Sequence, residues 1–336
     1  MFGFGSQKNE YDFIAIGDNA TDAFIRLEEA TVTCDERHEH CMLCVKYADK
    51  IPYKDVYVVP AVGNSANAAV SAARLGLKTA FVSNVGDDTN GKDAIEALAK
   101  NSVATDYIST QKGRKTNYHY VLWYLEDRTI LIKHETFDYA LPDIGSPKWI
   151  YLSSAAENSL SFHTELGKYL VTHPDVKLAF QPGTYQMRFG TDILKDLYQR
   201  SEVFICNKEE YQRVLKTEEG DEKKLLSMMR ALGPKLAVLT DGIKGAYTYD
   251  GTEYLFMRHY PDPKPPYERT GAGDAFSSTF VAALALGHDL RTALKWGPIN
   301  SMAVVQQVGA QAGLLTRPEL EDWLSKAPED YEPKAL

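Results

Sequence analysis

Short apolar runs alternate along this chain with stretches whose apolar positions recur at helical spacing. The first run, Asp12-Phe13-Ile14-Ala15-Ile16-Gly17, predicts a buried strand that ends in a glycine turn. Residues 66–75 are small and helical, closed by Gly76, and residues 79–85 predict the next strand. Gly86-Asp87-Asp88 then turns into a helix over 92–100. Further strands are predicted at 149–152, 177–180, 203–206 and 236–240, with helices over 162–172, 191–200, 208–215 and 222–232. Strands that are apolar throughout and spaced by helices indicate a mostly parallel sheet covered on both faces. Ligands of such sheets bind at the carboxyl ends of the strands.

Residues 25–59 and 116–134 break this rhythm with alternating, β-branched and aromatic positions. Strands are expected at 56–59 and 118–124, with Glu126-Asp127-Arg128 as the hairpin turn before a strand at 129–132. A small sheet projecting from a large domain is a candidate lid or dimer surface. The alternative is extra edge strands on the main sheet. The expected division is a large α/β unit over 1–24, 60–115 and 135–330. The β lid then takes 25–59 and 116–134, with a Cys/His-containing insertion at 34–50.

Composition narrows the classes. A chain of 336 residues accommodates one large α/β domain with an appendage, or two domains. A net charge of −9 argues against a broad nucleic-acid surface. No apolar stretch has the length of a membrane span, and residues 1–8 lack the pattern of a secretory signal, so a cytoplasmic enzyme is expected. Four cysteines in a chain this long predict no disulfide framework.

The strongest chemical signal is Gly271-Ala272-Gly273-Asp274, which opens a predicted apolar helix over 275–286. Glycines let the backbone approach a ligand, and a helix start adds partial positive charge, so an anion site is expected there. A carboxylate beside that site suits acceptance of a proton from a hydroxyl attacking a phosphoryl group; the bland reading is a helix cap. Gly63-Asn64-Ser65-Ala66-Asn67 opens the small-residue helix, where amides either bind a polyhydroxyl ligand or cap the helix. Asp18 and Asp22 follow the first strand and either hold sugar hydroxyls or cap the next element. Asn207-Lys208-Glu209-Glu210 suits Mg²⁺ held through water, and equally forms a capping box. Thr240-Asp241-Gly242-Ile243-Lys244-Gly245 permits backbone contact with phosphates, or is a turn into the next strand. Gly86 to Lys92 nearly spells a P-loop, but Asp93 stands where Ser or Thr is required, and that reading is rejected.

In this order and spacing the motifs resemble the ribokinase-like kinases, the phosphofructokinase-B carbohydrate kinase family, across essentially the whole chain. The resemblance implies a three-layer α/β/α sandwich with a mostly parallel central sheet and a small β-sheet lid. It also implies transfer of the γ-phosphate of ATP to a hydroxyl. By that resemblance Asp274 is the catalytic base, and the amides of Gly271, Ala272 and Gly273 form the anion hole. Asp18, Asp22, Gly63, Asn64 and Asn67 bind substrate. Asn207 and Glu210 organise Mg²⁺ and phosphate, Thr240, Gly242 and Gly245 line the nucleotide site, and Asn300 lies near the adenine. Val62 replaces a glycine common in the family, and Glu268 replaces an Asp before the glycine motif. Glu268 bears on the monovalent-cation site that some members carry. Arg269 is either a phosphate ligand or a solvated surface residue.

Cys34, Cys41 and Cys44 with His38 are a candidate structural Zn²⁺ site, against reduced thiols in a loop. The expected activity is an ATP-dependent kinase acting on a small sugar, a furanose or hexose, with a nucleoside as the alternative acceptor. Tyr118, Tyr120, Trp123, Tyr124 and the segment 181–186 either stack a base or fill lid and core. A non-catalytic nucleotide- or sugar-binding regulator is the alternative of another class. A homodimer through the lid is the expected assembly, with no nucleic-acid or membrane partner.

Overall fold

The computed structural model describes residues 11–35, 41–125 and 127–336. Phe13–Ile16 lies inside the main sheet, between Trp149–Leu152 and Thr79–Gly86. Outward from Trp149–Leu152 come Lys177–Phe180, Ser201–Asn207 and Leu236–Thr240, all parallel. Val103–Ala104 and Ile108–Gln111 pair in parallel with Thr79–Gly86 on the other side. Beyond Leu236–Thr240 the sheet turns antiparallel through Ala246–Tyr249, Tyr254–Met257 and Lys334–Ala335.

Side chains alternate across a strand, so each apolar run feeds two cores. Phe13 and Ala15 join the core beneath the helices Asn64–Arg74, Ala272–Ala285 and Leu290–Val304. Ile14 and Ile16 join the opposite core, with the helices Leu160–Thr172, Lys208–Leu215 and Glu222–Ala231. The result is the expected three-layer sandwich.

The second sheet is separate from the first, with strand order Asp127–Leu131, Asn117–Tyr124, Ala20–Leu27, Tyr53–Val62. It starts three residues after Gly17, earlier than the expected boundary at residue 25, so Asp22 lies on a strand of the second sheet. Asp127 and Arg128, expected in the hairpin turn, are already paired strand residues opposite Tyr124 and Trp123. Leu125, at φ +57°, makes the turn; Glu126 lies outside the described residues.

The helix expected over 191–200 is shorter, Lys195–Arg200, and a separate helix, Thr184–Phe189, precedes it. Gly190, at φ +84°, ends that first helix. Leu290–Val304 and Arg317–Ser325 are helices that the sequence reading did not place.

The cysteines correct two expectations. Cys34 and Cys41 form a disulfide, where reduced thiols or a metal were expected. Thr31–Thr33 pairs antiparallel with Met42–Cys44, Thr33 facing Met42, which brings the next residue on each strand together. Two of the thiols in the candidate zinc set are therefore spent, and His38 lies outside the described residues. Among the described residues no cluster of His, Cys, Asp or Glu is arranged to hold a metal ion, and no helix is long and apolar enough to cross a membrane.

Candidate active site

Two helix starts converge at the carboxyl edge of the main sheet. Gly63, at φ +112°, precedes Asn64–Arg74, and Gly271, at φ +83°, precedes Ala272–Ala285. A Cβ on Gly271 would overlap Ala310, so both the turn and the space demand glycine there. Alanines and serines on the facing surfaces let the helices approach until Ser71 Oγ lies 3.3 Å from Thr279 Oγ1. Their first turns are therefore adjacent.

That adjacency surrounds Asp274 with amides. Asn64 Nδ2 donates to Oδ1 at 2.8 Å, Asn67 Nδ2 to Oδ2 at 2.8 Å, and Gln181 Nε2 to Oδ1 at 3.2 Å. Burial raises the Asp274 pKa above the ordinary aspartate value, and the three amides pull it back without cancelling the rise. Asn64 and Asn67, expected on the substrate, spend these donors on the carboxylate.

Asp274 lies on a cavity of about 510 Å³ that also exposes Asp18, Asp22, Gly63, Asn207 and Glu210. Tyr139 Oη donates to Asp18 Oδ1 at 2.6 Å, and His134 Nδ1 lies 3.3 Å from Asp18 Oδ2. Parallel register sets Asp22 opposite His119, whose Nδ1 is 3.2 Å from Asp22 Oδ1. Asn19, almost fully buried on the same wall, leaves both amide atoms without a hydrogen bond. Unpaired buried amides are costly, and a ligand that bonds them removes that cost. His119, His134 and Arg128 had not been assigned to this site from the sequence, and Gln181 only within a segment that could stack a base, because no local motif marks side chains brought together by strand pairing and loop packing.

A second cavity, about 260 Å³, is lined by Thr240, Gly242 and Gly245 together with Tyr260, Phe276 and Met302. The two cavities share Thr240, Arg269, Ala272 and Gly273, so the start of helix Ala272–Ala285 stands between them. Arg269 is exposed on this common wall.

Asn300 is not in either cavity. Its side chain is fully buried, donating to Thr279 Oγ1 at 2.7 Å and accepting from Leu315 N at 2.9 Å. It clamps helices together, and its neighbours Pro298, Ser301 and Met302 face the second cavity instead.

Asn207 and Glu210 do form a capping box: Asn207 Oδ1 accepts from Glu210 N at 2.9 Å and Glu210 Oε2 from Asn207 N at 3.0 Å. Both still face the larger cavity. Burial first, then the nearby Asp274, raises the Glu210 pKa, while the Asn207 backbone bond opposes the rise. Amide and carboxylate oxygens are the donor chemistry that Mg²⁺ takes. Asp88, in the rejected P-loop segment, caps the helix Thr89–Lys100 through Gly91 N, and no part of the segment lines either cavity.

Glu268 is fully buried beneath the glycine turn. Its Oε1 accepts from Thr270 N at 2.8 Å and Thr270 Oγ1 at 2.6 Å, its Oε2 from Gly309 N at 3.3 Å. Arg128 Nε, from the second sheet, stands 3.7 Å away. Tyr267 meets Trp123 edge to face at 5.3 Å, and Arg26 lies over the Trp123 ring at 4.7 Å. The small sheet is thus tied to the segment that leads into Gly271.

Residues 40–317 match the family model described as pfkB family carbohydrate kinase. The chain is 25% identical over 319 residues to a 5-dehydro-2-deoxygluconokinase of Bacillus velezensis, covering 90% of this chain and 91% of that one. It is 28% identical over 274 residues to a ribokinase of Bacillus subtilis, covering 78% and 87%. A solved structure of Arabidopsis thaliana ribokinase complexed with ribose and ATP superposes with a TM-score of 0.75 at 22% identity, covering 93% and 98%.

Proposed function

Because the chain belongs to the pfkB family of carbohydrate kinases, we propose that it transfers the γ-phosphate of ATP to a hydroxyl of a small neutral sugar, a furanose or hexose, with Asp274 as the base. It is a sugar kinase of ribokinase-like fold, a phosphotransferase with an alcohol acceptor. The observation that carries the finer reading is the place of Asp274. Its carboxylate lies on the polar cavity, on the first turn of a helix whose residues Ala272 and Gly273 also line the largely apolar one.

In this reading the sugar occupies the larger cavity, hydrogen-bonded by Asp18, Asp22 and the unpaired amide of Asn19. The nucleotide occupies the smaller one, against Thr240, Gly242 and Gly245, with its γ-phosphate toward Gly271, Ala272 and Gly273. Asp274 takes the proton of the attacking hydroxyl, and the helix-start amides stabilise the charge that develops on the phosphoryl oxygens. Mg²⁺, held through Asn207 and Glu210, would neutralise phosphate charge. A monovalent cation is left out, because Glu268 is already engaged by Thr270, Gly309 and Arg128.

A nucleoside acceptor is disfavoured by the walls. Histidines supply the only rings among the described residues that line the larger cavity. Trp123 is buried against Tyr267, and Tyr118 packs on Tyr120 at 5.2 Å. A sugar acid is the second reading, favoured by the two arginines, Arg128 and Arg269, among the residues that line this cavity. An idle regulator has no use for a base held by three amides. A homodimer through the outer face of the small sheet, where Val56, Val58, Tyr120 and Leu131 are exposed, and a cytoplasmic location belong to the same reading.

The test is ATP consumption against ribose, fructose, 5-dehydro-2-deoxygluconate and adenosine, repeated with Asp274→Asn. Turnover of a sugar should fall by about 10²- to 10⁴-fold in the variant while ATP still binds. Undiminished turnover in Asp274→Asn would remove Asp274 as the base, and turnover of adenosine alone would remove the sugar.

A further inference from the structure

We infer that Gln181 is a positioning residue for the base, with its amide oriented by Tyr151, and that the acceptor proton is taken at Oδ2 of Asp274. This rests on the reading of Asp274 as base. An ionised carboxylate offers about four acceptor positions, two on each oxygen. Oδ1 already receives two donors, Asn64 Nδ2 at 2.8 Å and Gln181 Nε2 at 3.2 Å. Oδ2 receives one, Asn67 Nδ2 at 2.8 Å. The open position is therefore on Oδ2, and the cavity in front of Asp274 is where a hydroxyl reaches it.

Two of the three amides are fixed from behind. Tyr151 Oη donates to Gln181 Oε1 at 2.6 Å. Tyr151 is fully buried, and burial keeps its phenol protonated, so it acts as a donor. With Tyr151 donating to its carbonyl, the Gln181 amide turns its NH₂ toward the Asp274 carboxylate, which only accepts. Asn67 is fixed in the same way: Gln311 Nε2 donates to Asn67 Oδ1 at 3.0 Å and to Ala61 O at 2.6 Å. Two of the donors that hold the carboxylate are thus themselves held by hydrogen bonds on their carbonyl side.

The consequence for the reaction is specific. The acceptor O–H gives its proton to Oδ2, its oxygen forms the bond to the γ-phosphorus, and the bond from that phosphorus to the β,γ-bridging oxygen breaks, releasing ADP. Gln181 acts on this step through the carboxylate. It holds Oδ1, so that the carboxylate presents Oδ2, and it favours the ionised form in a buried place where the neutral acid is otherwise favoured.

The experiment uses the full chain with Gln181→Met, Gln181→Glu and Tyr151→Phe. The Asp274 carboxyl is titrated by ¹³C NMR without substrate, its signal assigned by loss in Asp274→Asn. The pH profile of kcat is measured with the sugar best turned over in the panel. In Gln181→Met both the carboxyl titration and the acid limb of kcat should move up by about one pH unit, as expected for loss of one charge-assisted hydrogen bond. Both KM values should stay within about twofold. Gln181→Glu places a like charge beside Asp274 and should move the limb further, and Tyr151→Phe should move it less, in the same direction. A wild-type carboxyl titration in Gln181→Met, or in Tyr151→Phe and Gln181→Glu together if that variant fails to fold, overturns the inference. Turnover surviving in Asp274→Asn removes the base reading instead, and leaves the titration result standing.

Discussion

Asn64 Nδ2 donates to Asp274 Oδ1 at 2.8 Å, joining the first turns of two helices 210 residues apart in sequence. The bond opposes the effect of burial on Asp274, whose pKa nevertheless stays above the ordinary aspartate value. A base acts only when deprotonated, so kcat should fall as pH drops through that raised value, with an acid limb above the range of a solvated aspartate. A pH profile of kcat at saturating ATP and sugar measures it. A flat profile down to the ordinary aspartate pKa contradicts the assignment.

Gly271→Ala tests the helix start. The backbone there has φ +83°, and an added methyl would meet Ala310. Strain in the left-handed region costs an alanine about 1–2 kcal/mol, and relief by backbone movement displaces the amides proposed to face the phosphate. Denaturant unfolding should show a loss of at least that size, with kcat reduced more than the affinity for sugar. Wild-type kcat would mean that those amides do not serve the transferred group.

Glu210→Gln separates the capping box from the charge. Burial raises the Glu210 pKa, so its contribution to stability is present below the ordinary glutamate range and lost as pH rises through the raised value. At neutral pH the ionised side chain therefore weighs against folding. Glutamine keeps the bond from Asn207 N and removes that charge. Tm at neutral pH should hold or rise, while the Mg²⁺ concentration needed for half-maximal turnover increases. A lower Tm with unchanged Mg²⁺ dependence points to a purely structural carboxylate.

Reduction of the Cys34–Cys41 disulfide concerns only the small hairpin formed by Thr31–Thr33 and Met42–Cys44. Neither cysteine lines a cavity. Dithiothreitol, or Cys34→Ser with Cys41→Ser, should leave turnover within about twofold, since changes remote from a site leave its interactions intact. Zinc chelation should not change Tm. A fall in Tm on chelation would restore the metal reading.

Much of the fold was legible because its signals are local. The run Phe13–Ile16 is apolar on both faces, which only a covered strand tolerates, and Lys208–Leu215 follows its capping residue Asn207 at the predicted boundary. The helix Thr184–Phe189 was hidden because six residues between Gly183 and Gly190 are too few to show a helical period. Leu290–Val304 carries Pro298 within it, against ordinary helix expectations. Asp274, Asn207, Glu210, Thr240 and Gly245 were legible as candidates because each belongs to a compact local motif, and all five line one of the two cavities. Asn300 was misplaced because the direction of a side chain on a buried helix depends on what packs against it.

The order of apolar runs and glycine-bearing turns determined a layered α/β fold, a helix that starts on a glycine turn and a carboxylate in its first turn, since these follow from spacing along one stretch of chain. The partners of that carboxylate were decided only in three dimensions. Asn64 and Asn67 come from one helix start and Gln181 from a separate strand end, all far in sequence from Asp274, and His119 reaches Asp22 through the pairing of strands distant in sequence. Hydrogen bonds act over about 3 Å, and which distant residues come that close is fixed by how helices and strands pack.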